Sequence, residues 1–420
     1  MKKILSIFFL SIFCNVISCS TNSTISFVKD TNPIFLNESY YLGFQPIPNK
    51  GSMFFWLFES RNKPSEDPLL IWLNGGPGCS SEIAIFVENG PFRINAEENT
   101  LKINPYSWNN IANVLYVDNP LGAGYSTGNY AYKNQEEISS DFYIFLQEFL
   151  GAFPQYKGRD FYLAGEGYAG HYIPAIAVKI QKKGGINLNF KGVAIGNGLV
   201  SAFYQYPRYT TYALENKLID GDTFLEIIHG FSVCANLIKK GMISVALVQC
   251  QVQLEKITGT PPKFNLYDIR ETCENPPFCY DFSFIENFLK QPKVQEALGI
   301  YKPWVMCNDT IRENLKFEMF DDFEDALSTV VQSEIQVLIY NGDKDFMYNW
   351  RGGDTMAYNL LWRGTSHFQK LPYMKYKNFG EYKYLDNLIY YRIYDAGMMV
   401  PMDQPAVALD MLEKFFKGWS

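Results

Sequence analysis

Phe161-Tyr-Leu-Ala-Gly165-Glu166-Gly167-Tyr168-Ala169-Gly170-His171 reads as an apolar strand, a sharp glycine-lined turn and the start of a helix. This is the layout of a nucleophile elbow, G-x-S-x-G, in which a tight turn between strand and helix presents its middle side chain. The middle position here is Gly167. Glycine has no side chain, so the stretch that decides the fold also lacks the atom on which an elbow's chemistry depends.

On the N-terminal side, residues 41–75 alternate and then run apolar through 53–58 and 69–73, which predicts early strands of a sheet. Asn74-Gly-Gly-Pro-Gly78 stops the last of these with turn-forming residues. A buried strand is expected at 114–117 and a helix over 135–150. A helix from 170 to 183 and a strand at 192–195 follow the elbow. Strand and helix in alternation predict a mostly parallel α/β sheet. From 204 to 302 the strand signal fades into helical patterns that carry Cys234, Cys250, Cys273 and Cys279. That stretch reads as a helical, disulfide-stapled cap insertion. The alternation resumes at 337–340 and 389–394, and an amphipathic helix over 406–419 closes the chain. The expected organisation is therefore a signal at 1–20, a core in two parts at 21–203 and 303–420, and a cap at 204–302.

The chain has 420 residues, 47% of them hydrophobic and 16% aromatic, enough to bury a large core. Its formal charge is −7 and no basic stripe interrupts it, which excludes nucleic acid as a partner. Met1-Lys2-Lys3, the apolar run 4–13, and the small residues Ser18 and Ser20 form a secretory signal that is too short to span a bilayer. No later apolar run is long enough to do so. Export to the exterior or to a lysosomal or vacuolar compartment is the expected destination. Of eight cysteines, Cys14 and Cys19 fall within the signal. The remaining Cys79, Cys234, Cys250, Cys273, Cys279 and Cys307 form an even set that predicts disulfides, whose pairing the sequence leaves open. Without a C-x-x-C, and with His171, His229 and His367 scattered, a metal site is not expected, and no cofactor is implied. Asn22, Asn37 and Asn308 open glycosylation triplets.

Four separated segments resemble one family, the serine carboxypeptidases of the α/β-hydrolase fold. Trp72-Leu-Asn-Gly-Gly-Pro-Gly-Cys-Ser-Ser81 is similar to their hallmark, and Gly165-Glu-Gly-Tyr-Ala-Gly-His-Tyr-Ile-Pro174 to their nucleophile segment. Gly342-Asp-Lys-Asp345 resembles the acid segment, and Ala396-Gly-Met-Met-Val-Pro-Met-Asp-Gln-Pro405 the histidine segment. The order nucleophile, acid, base is that of the fold. The likeness runs from about residue 38 to the C-terminus.

The resemblance places the family's serine at Gly167, its histidine at Met398 and its acid at Asp345. Only the acid is retained. Acyl transfer needs a hydroxyl to attack, an imidazole to carry the proton and a carboxylate to orient that imidazole. A thioether carries no proton near neutral pH, so Asp345 has no imidazole to orient. The likeness also implies an oxyanion hole at the backbone of Gly76 and Tyr168. It implies recognition of a peptide's C-terminal carboxylate by Trp72, Asn74, Gly75, Glu88 and Glu166, and disulfides Cys79–Cys307, Cys234–Cys250 and Cys273–Cys279. Tyr348 stands where the family often has cysteine, and Asn119 where glutamine is more usual. The leading expectation is an inactive carboxypeptidase homologue that still holds peptide C-termini, alone or within a homodimer or protein complex. The rivals are an active carboxypeptidase working at acid pH and a structural glycoprotein without a ligand.

Overall fold

The computed structural model describes residues 26–128, 131–276 and 278–419. The expected signal at 1–20, Cys14, Cys19 and the triplet at Asn22 lie outside the described residues. In chain order the strands are β1 (Ser26–Asp30), β2 (Tyr40–Ile47), β3 (Gly51–Phe58), β4 (Leu69–Leu73), β5 (Phe92–Asn95), β6 (Thr100–Ile103) and β7 (Asn113–Val117). They continue with β8 (Thr127–Gly128), β9 (Asp160–Glu166), β10 (Asn189–Gly196), β11 (Gln336–Gly342), β12 (Met374–Tyr376), β13 (Gly380–Leu385) and β14 (Leu388–Ile393). One sheet runs β1-β2-β3-β7-β4-β9-β10-β11-β14-β13-β12, with β8 beside β3, while β5 and β6 pair separately. From β7 through β4, β9, β10 and β11 to β14 the strands are parallel. The antiparallel β1-β2-β3 and β12-β13-β14 ribbons flank this centre.

The parallel centre is covered on both faces, which is why β4 and β7 read as uninterrupted apolar runs. The two-residue period of a strand sorts their side chains. Ile71, Leu73, Leu115, Phe161 and Leu163 enter one core, and Leu70, Trp72, Tyr116, Tyr162 and Ala164 enter the other. The first core is closed by α1 (Gln135–Ala152) and α2 (Ala169–Lys183), the second in part by α5 (Pro405–Lys417). Asn134 caps α1 by accepting from the Glu137 N–H at 3.1 Å. Within 204–302, α3 (Gly221–Lys239) and α4 (Ile243–Thr258) form a hairpin over a third core containing Phe231, Phe346, Tyr348 and Met398. Phe282, Ile285, Phe288 and Trp304, further along, pack into the second core instead. No described helix is long and apolar enough to cross a membrane.

The cysteines pair as the resemblance implied: Cys79–Cys307, Cys234–Cys250 and Cys273–Cys279. Cys79–Cys307 ties the turn after β4 to a segment 228 residues away, so it restricts the unfolded chain most. Ligands of parallel α/β sheets sit beyond the carboxyl ends of the strands. Here those ends lead into Asn74–Gly78 after β4, Gly167 after β9, Asp345 after β11 and Met398 after β14.

Helix α2 starts against the turn after β10: a Cβ on Gly170 would stand 2.2 Å from the Leu199 carbonyl oxygen, whereas one on Gly151 in α1 meets nothing within 4 Å. Gly170→Ala is therefore expected to lose about 1–3 kcal/mol, and Gly151→Ala to gain roughly 0.5 kcal/mol. Urea unfolding midpoints measure both, and equal shifts would remove the packing argument.

Candidate functional site

Gly167 sits at the apex of the elbow with φ 60°, in the left-handed region that glycine enters without strain. Its N–H donates to the Gly196 carbonyl at 3.1 Å, and its own carbonyl accepts from Gly170 at 3.0 Å and Leu199 at 2.9 Å. A Cβ built there would lie 2.6 Å from Met398 Cε and 3.5 Å from Tyr348 Cε2. The methionine methyl thus occupies the volume into which an elbow side chain would project. Met398 is itself held by its N–H, which donates to the Tyr267 carbonyl at 2.8 Å.

Asp345 is fully buried. Its carboxylate accepts from Asn197 Nδ2 at 2.8 Å and from the N–H groups of Met347 at 2.9 Å and Tyr348 at 3.0 Å. Asn197 Oδ1 accepts in turn from the Gly342 N–H at 3.0 Å. Burial holds the Asp345 carboxyl well above the usual carboxylate range, opposed by these hydrogen bonds. Instead of an imidazole, Asp345 orients Asn197 and the loop that carries Tyr348.

Gly76, with φ 111°, and Tyr168 line one cleft together with Met398. Among the described residues, neither N–H has a protein acceptor. The Tyr168 side chain is fixed from behind: its hydroxyl donates to Glu318 Oε2 and accepts from Gln135 Nε2 at 3.2 Å. Glu318 Oε2 also meets His171 Nδ1 at 3.1 Å. Burial pushes Glu318 up to about 9 and His171 down to about 3. A neutral carboxyl therefore faces a neutral imidazole, and His171 anchors the elbow rather than serving the cleft. Glu318 and Gln135 escaped the sequence reading because Glu318 is 150 residues from Tyr168 and no local pattern marks either.

The expected carboxylate-recognition residues are brought together. Trp72 Nε1 donates to Asn74 Oδ1 at 2.7 Å, and Asn74 Nδ2 reaches Glu166 Oε1 at 3.1 Å and Glu88 Oε1 at 3.5 Å. Asn74, Gly75 and Glu166 line the cleft, whereas Trp72 and Glu88 stand behind them. Burial raises Glu88 to about 7 and holds Glu166 well above the carboxylate range, with Glu88's charge adding to the effect. The two carboxyls hydrogen-bond each other, which requires a proton between them, and no other donor reaches the second oxygen of either among the described residues. The cleft is narrow, about 60 Å³, and its remaining walls include Tyr267, Phe278, Tyr280, Phe282, Met306 and Met399.

A second buried carboxyl pair, unforeseen in the sequence, lies under the glycine-rich turn. Glu82 Oε2 accepts from Ser80 Oγ at 2.5 Å and Trp304 Nε1 at 3.2 Å, while Asp118 accepts from the N–H groups of Ser81 at 2.9 Å and Tyr125 at 2.6 Å. Burial raises both. Next to Asp118, Asn119 has neither side-chain polar atom partnered among the described residues. Asn37 is exposed, whereas Asn308 caps a helix and donates to the Gly122 carbonyl at 3.0 Å. Among the described residues, no three His, Cys, Asp or Glu side chains are grouped to hold a metal ion.

The sequence profile of the peptidase S10 family, serine carboxypeptidases, matches residues 30–418. The chain belongs to the serine carboxypeptidase family. It is 36% identical to serine carboxypeptidase-like 48 of Arabidopsis thaliana, over 92% of this chain and 80% of that protein. It is 37% identical to carboxypeptidase Y of Komagataella phaffii, over 93% of this chain and 79% of that one. Among solved structures it resembles the prohormone-processing carboxypeptidase Kex1 of Saccharomyces cerevisiae, with a TM-score of 0.81, 26% identity and 92% of each chain covered. This serine carboxypeptidase family member therefore has the carboxypeptidase α/β-hydrolase fold, with glycine and methionine facing each other at the elbow.

Two outcomes follow from this geometry. Gly167→Ser alone is expected to destabilise by about 1–2 kcal/mol, from a left-handed non-glycine residue and the methyl it displaces. Combining it with Met398→Ala is expected to lose less than the sum of the single changes, by at least roughly 0.5 kcal/mol; strict additivity in urea unfolding would show that the two side chains do not compete. The second concerns pH. Glu88, Glu166 and Glu318 all have folded pKa values raised above their unfolded ones. Their contribution to stability is fully present below the unfolded pKa of about 4.3 and is lost as pH rises through the folded values. Stability is expected to fall from pH 5 to pH 8. Glu166→Gln is expected to flatten that slope, by up to about 1.4 kcal/mol per pH unit. An unchanged slope would contradict a neutral Glu166.

Proposed function

We propose that this chain is a catalytically inactive member of the family that binds the C-terminal carboxylate of peptides after export through the secretory pathway. The observation that carries this reading is the Met398 methyl, 2.6 Å from the position of a Cβ at residue 167. The elbow centre offers no nucleophile, and the place facing it holds a thioether that can neither take nor return a proton. Loss of the serine or the histidine alone costs a triad about as much as loss of all three members, leaving on the order of 10⁻⁶ of normal turnover, so no peptidase function remains. Acyl transfer to small acceptors falls with it, because it needs the same serine and histidine.

The groups that would receive a peptide C-terminus line the cleft or stand directly behind it. An incoming carboxylate meets Asn74 Nδ2 and the proton shared by Glu88 and Glu166, a charge-assisted hydrogen bond available only while that proton is present. The carbonyl of the terminal peptide bond meets the free N–H groups of Gly76 and Tyr168. Aromatic and thioether walls suit an apolar C-terminal residue. Loss of the Glu88–Glu166 proton with rising pH turns attraction into repulsion between carboxylates, so binding strengthens in acid. Entry of the chain into the secretory pathway rests on residues 1–20 and on the three disulfides.

Titration calorimetry with short peptides at pH 5 and pH 7.5 checks the ligand. Free-acid peptides are expected to bind at least about tenfold tighter than their amides, and tighter at the lower pH. Equal or absent binding would remove the pocket and favour a purely structural protein. A fluorophosphonate probe is expected to leave the protein unlabelled at both pH values, with no release of C-terminal residues at pH 5. Labelling within the cleft would instead establish an active hydrolase. The double variant Gly167→Ser/Met398→His is expected to regain labelling.

A further inference from the structure

A second cavity, of about 500 Å³, lies beyond the Tyr168 hydroxyl and shares no lining residue with the cleft. It opens between the first turn of α1, the C-terminal half of α2 and residues 318–326. Its floor is polar and unsatisfied. Gln135 and Glu318, both lining it, are only 3% and 5% exposed. Both reach the Tyr168 hydroxyl, Gln135 through Nε2 at 3.2 Å and Glu318 through Oε2. The other oxygen of each has no hydrogen-bond partner among the described residues. Buried polar atoms are nearly always partnered, and a bare one is costly. Two bare oxygens that diverge from one hydroxyl beside one cavity call for a ligand that brings donors. The rest of the lining narrows the choice. Ala175 and Val178 on α2 and Phe323 and Ala326 opposite them form an apolar wall. At the rim Lys179 is paired with Glu136, and Lys183 lies 4.7 Å over the Tyr143 ring. Lys182 is exposed there with no ion pair among the described residues. Asp321, also at the rim, is close enough to Glu318 to act on its charge.

We propose that this cavity binds a free amino acid with an apolar side chain. The ammonium group donates to Gln135 Oε1 and Glu318 Oε1, with Asp321 as its countercharge. The carboxylate meets Lys182, and the side chain lies against the apolar wall. An ammonium brings three donors and a guest of this size suits the volume. A simple anion brings no donor and leaves both oxygens bare, and an uncharged apolar molecule does the same. The two cavities ask for opposite ends of a peptide-like molecule. The cleft is built for a carboxylate whose nitrogen is already acylated, whereas this site needs the amino group free. The proposal does not rest on the function proposed for the cleft, and acylating the amino group separates the two.

Titration calorimetry on the disulfide-bonded chain at about pH 6, where an α-amino group is protonated, tests the proposal. L-leucine is expected to bind with a Kd of about 1 mM or tighter, within reach of so small a ligand. N-acetyl-L-leucine keeps the carboxylate that the cleft would take but has no ammonium, and is expected to lose at least about tenfold at this site. Lys182→Glu is expected to weaken L-leucine about fivefold and not to weaken L-leucinamide, which has no carboxylate. Ala175→Leu, which fills the cavity from a half-buried position, is expected to abolish L-leucine binding with thermal melting unchanged. Absence of L-leucine binding at 10 mM overturns the proposal. So does L-leucine binding that survives Ala175→Leu, or N-acetyl-L-leucine binding as tightly as L-leucine and equally lost in that variant.

Discussion

The site depends on one close approach, backbone against backbone, between the turn after β4 and the turn after β9. A Cβ on Gly75 would lie 2.4 Å from the Tyr168 nitrogen and 2.6 Å from the Glu166 carbonyl oxygen, and one on Gly165 would lie 2.2 Å from the Leu73 carbonyl oxygen. The strands β4 and β9 are parallel neighbours, with Leu73 opposite Gly165. Their carboxyl ends therefore deliver both turns to the same point, and only glycine lets them meet. The N–H groups of Gly76 and Tyr168 are consequently placed by the sheet and by Cys79–Cys307, not by any catalytic side chain. A frame built this way does not depend on the side chains at residues 167 and 398.

Gly167 and Met398 share out one volume at the elbow. Shortening an elbow side chain to hydrogen leaves an apolar void, and voids are destabilising. Methionine is unbranched and adaptable, suited to irregular gaps, and Met398 places its methyl in this one. The same glycine relieves the backbone of a left-handed residue at φ 60°. Asp345 keeps its carboxyl engaged with Asn197, Met347 and Tyr348. Gly167 removes strain and Met398 adds packing.

What the sequence made legible follows the range of the interactions. The elbow, the glycine-rich turn and the parallel strands are local patterns, and β4, β7, β9, β10 and β11 fall within a few residues of the expected runs. The edge strands β12 and β13 were not read, because half-exposed ribbon strands carry weak apolar periodicity. Met398 was recognisable as a replacement, but not as the neighbour of Gly167's missing side chain, since 231 positions separate them. Glu318 was invisible for the same reason: its partners Tyr168 and His171 are 150 and 147 residues away. Its acidity is a property of the buried environment, not of its neighbours in the chain.

The buried acids argue for a working environment. Glu82 with Asp118, Glu88 with Glu166, Asp345, and Glu318 are six carboxyls inside one molecule, all lifted by burial. Only Glu88 has a nearby guanidinium, that of Arg93, lowering it appreciably, and it still reaches about 7. Buried carboxyls normally recover their ionisation from paired cations. Here most of the compensation comes from neutral donors such as Ser80, Asn74, Asn197 and backbone N–H groups. That arrangement suits protonated or proton-sharing acids and becomes a growing liability as protons are withdrawn. The proton that keeps Glu88 and Glu166 from repelling each other is the one that the proposed carboxylate recognition beside Asn74 requires. On the proposed function, stability in acid and recognition of a carboxylate are two consequences of one shared proton.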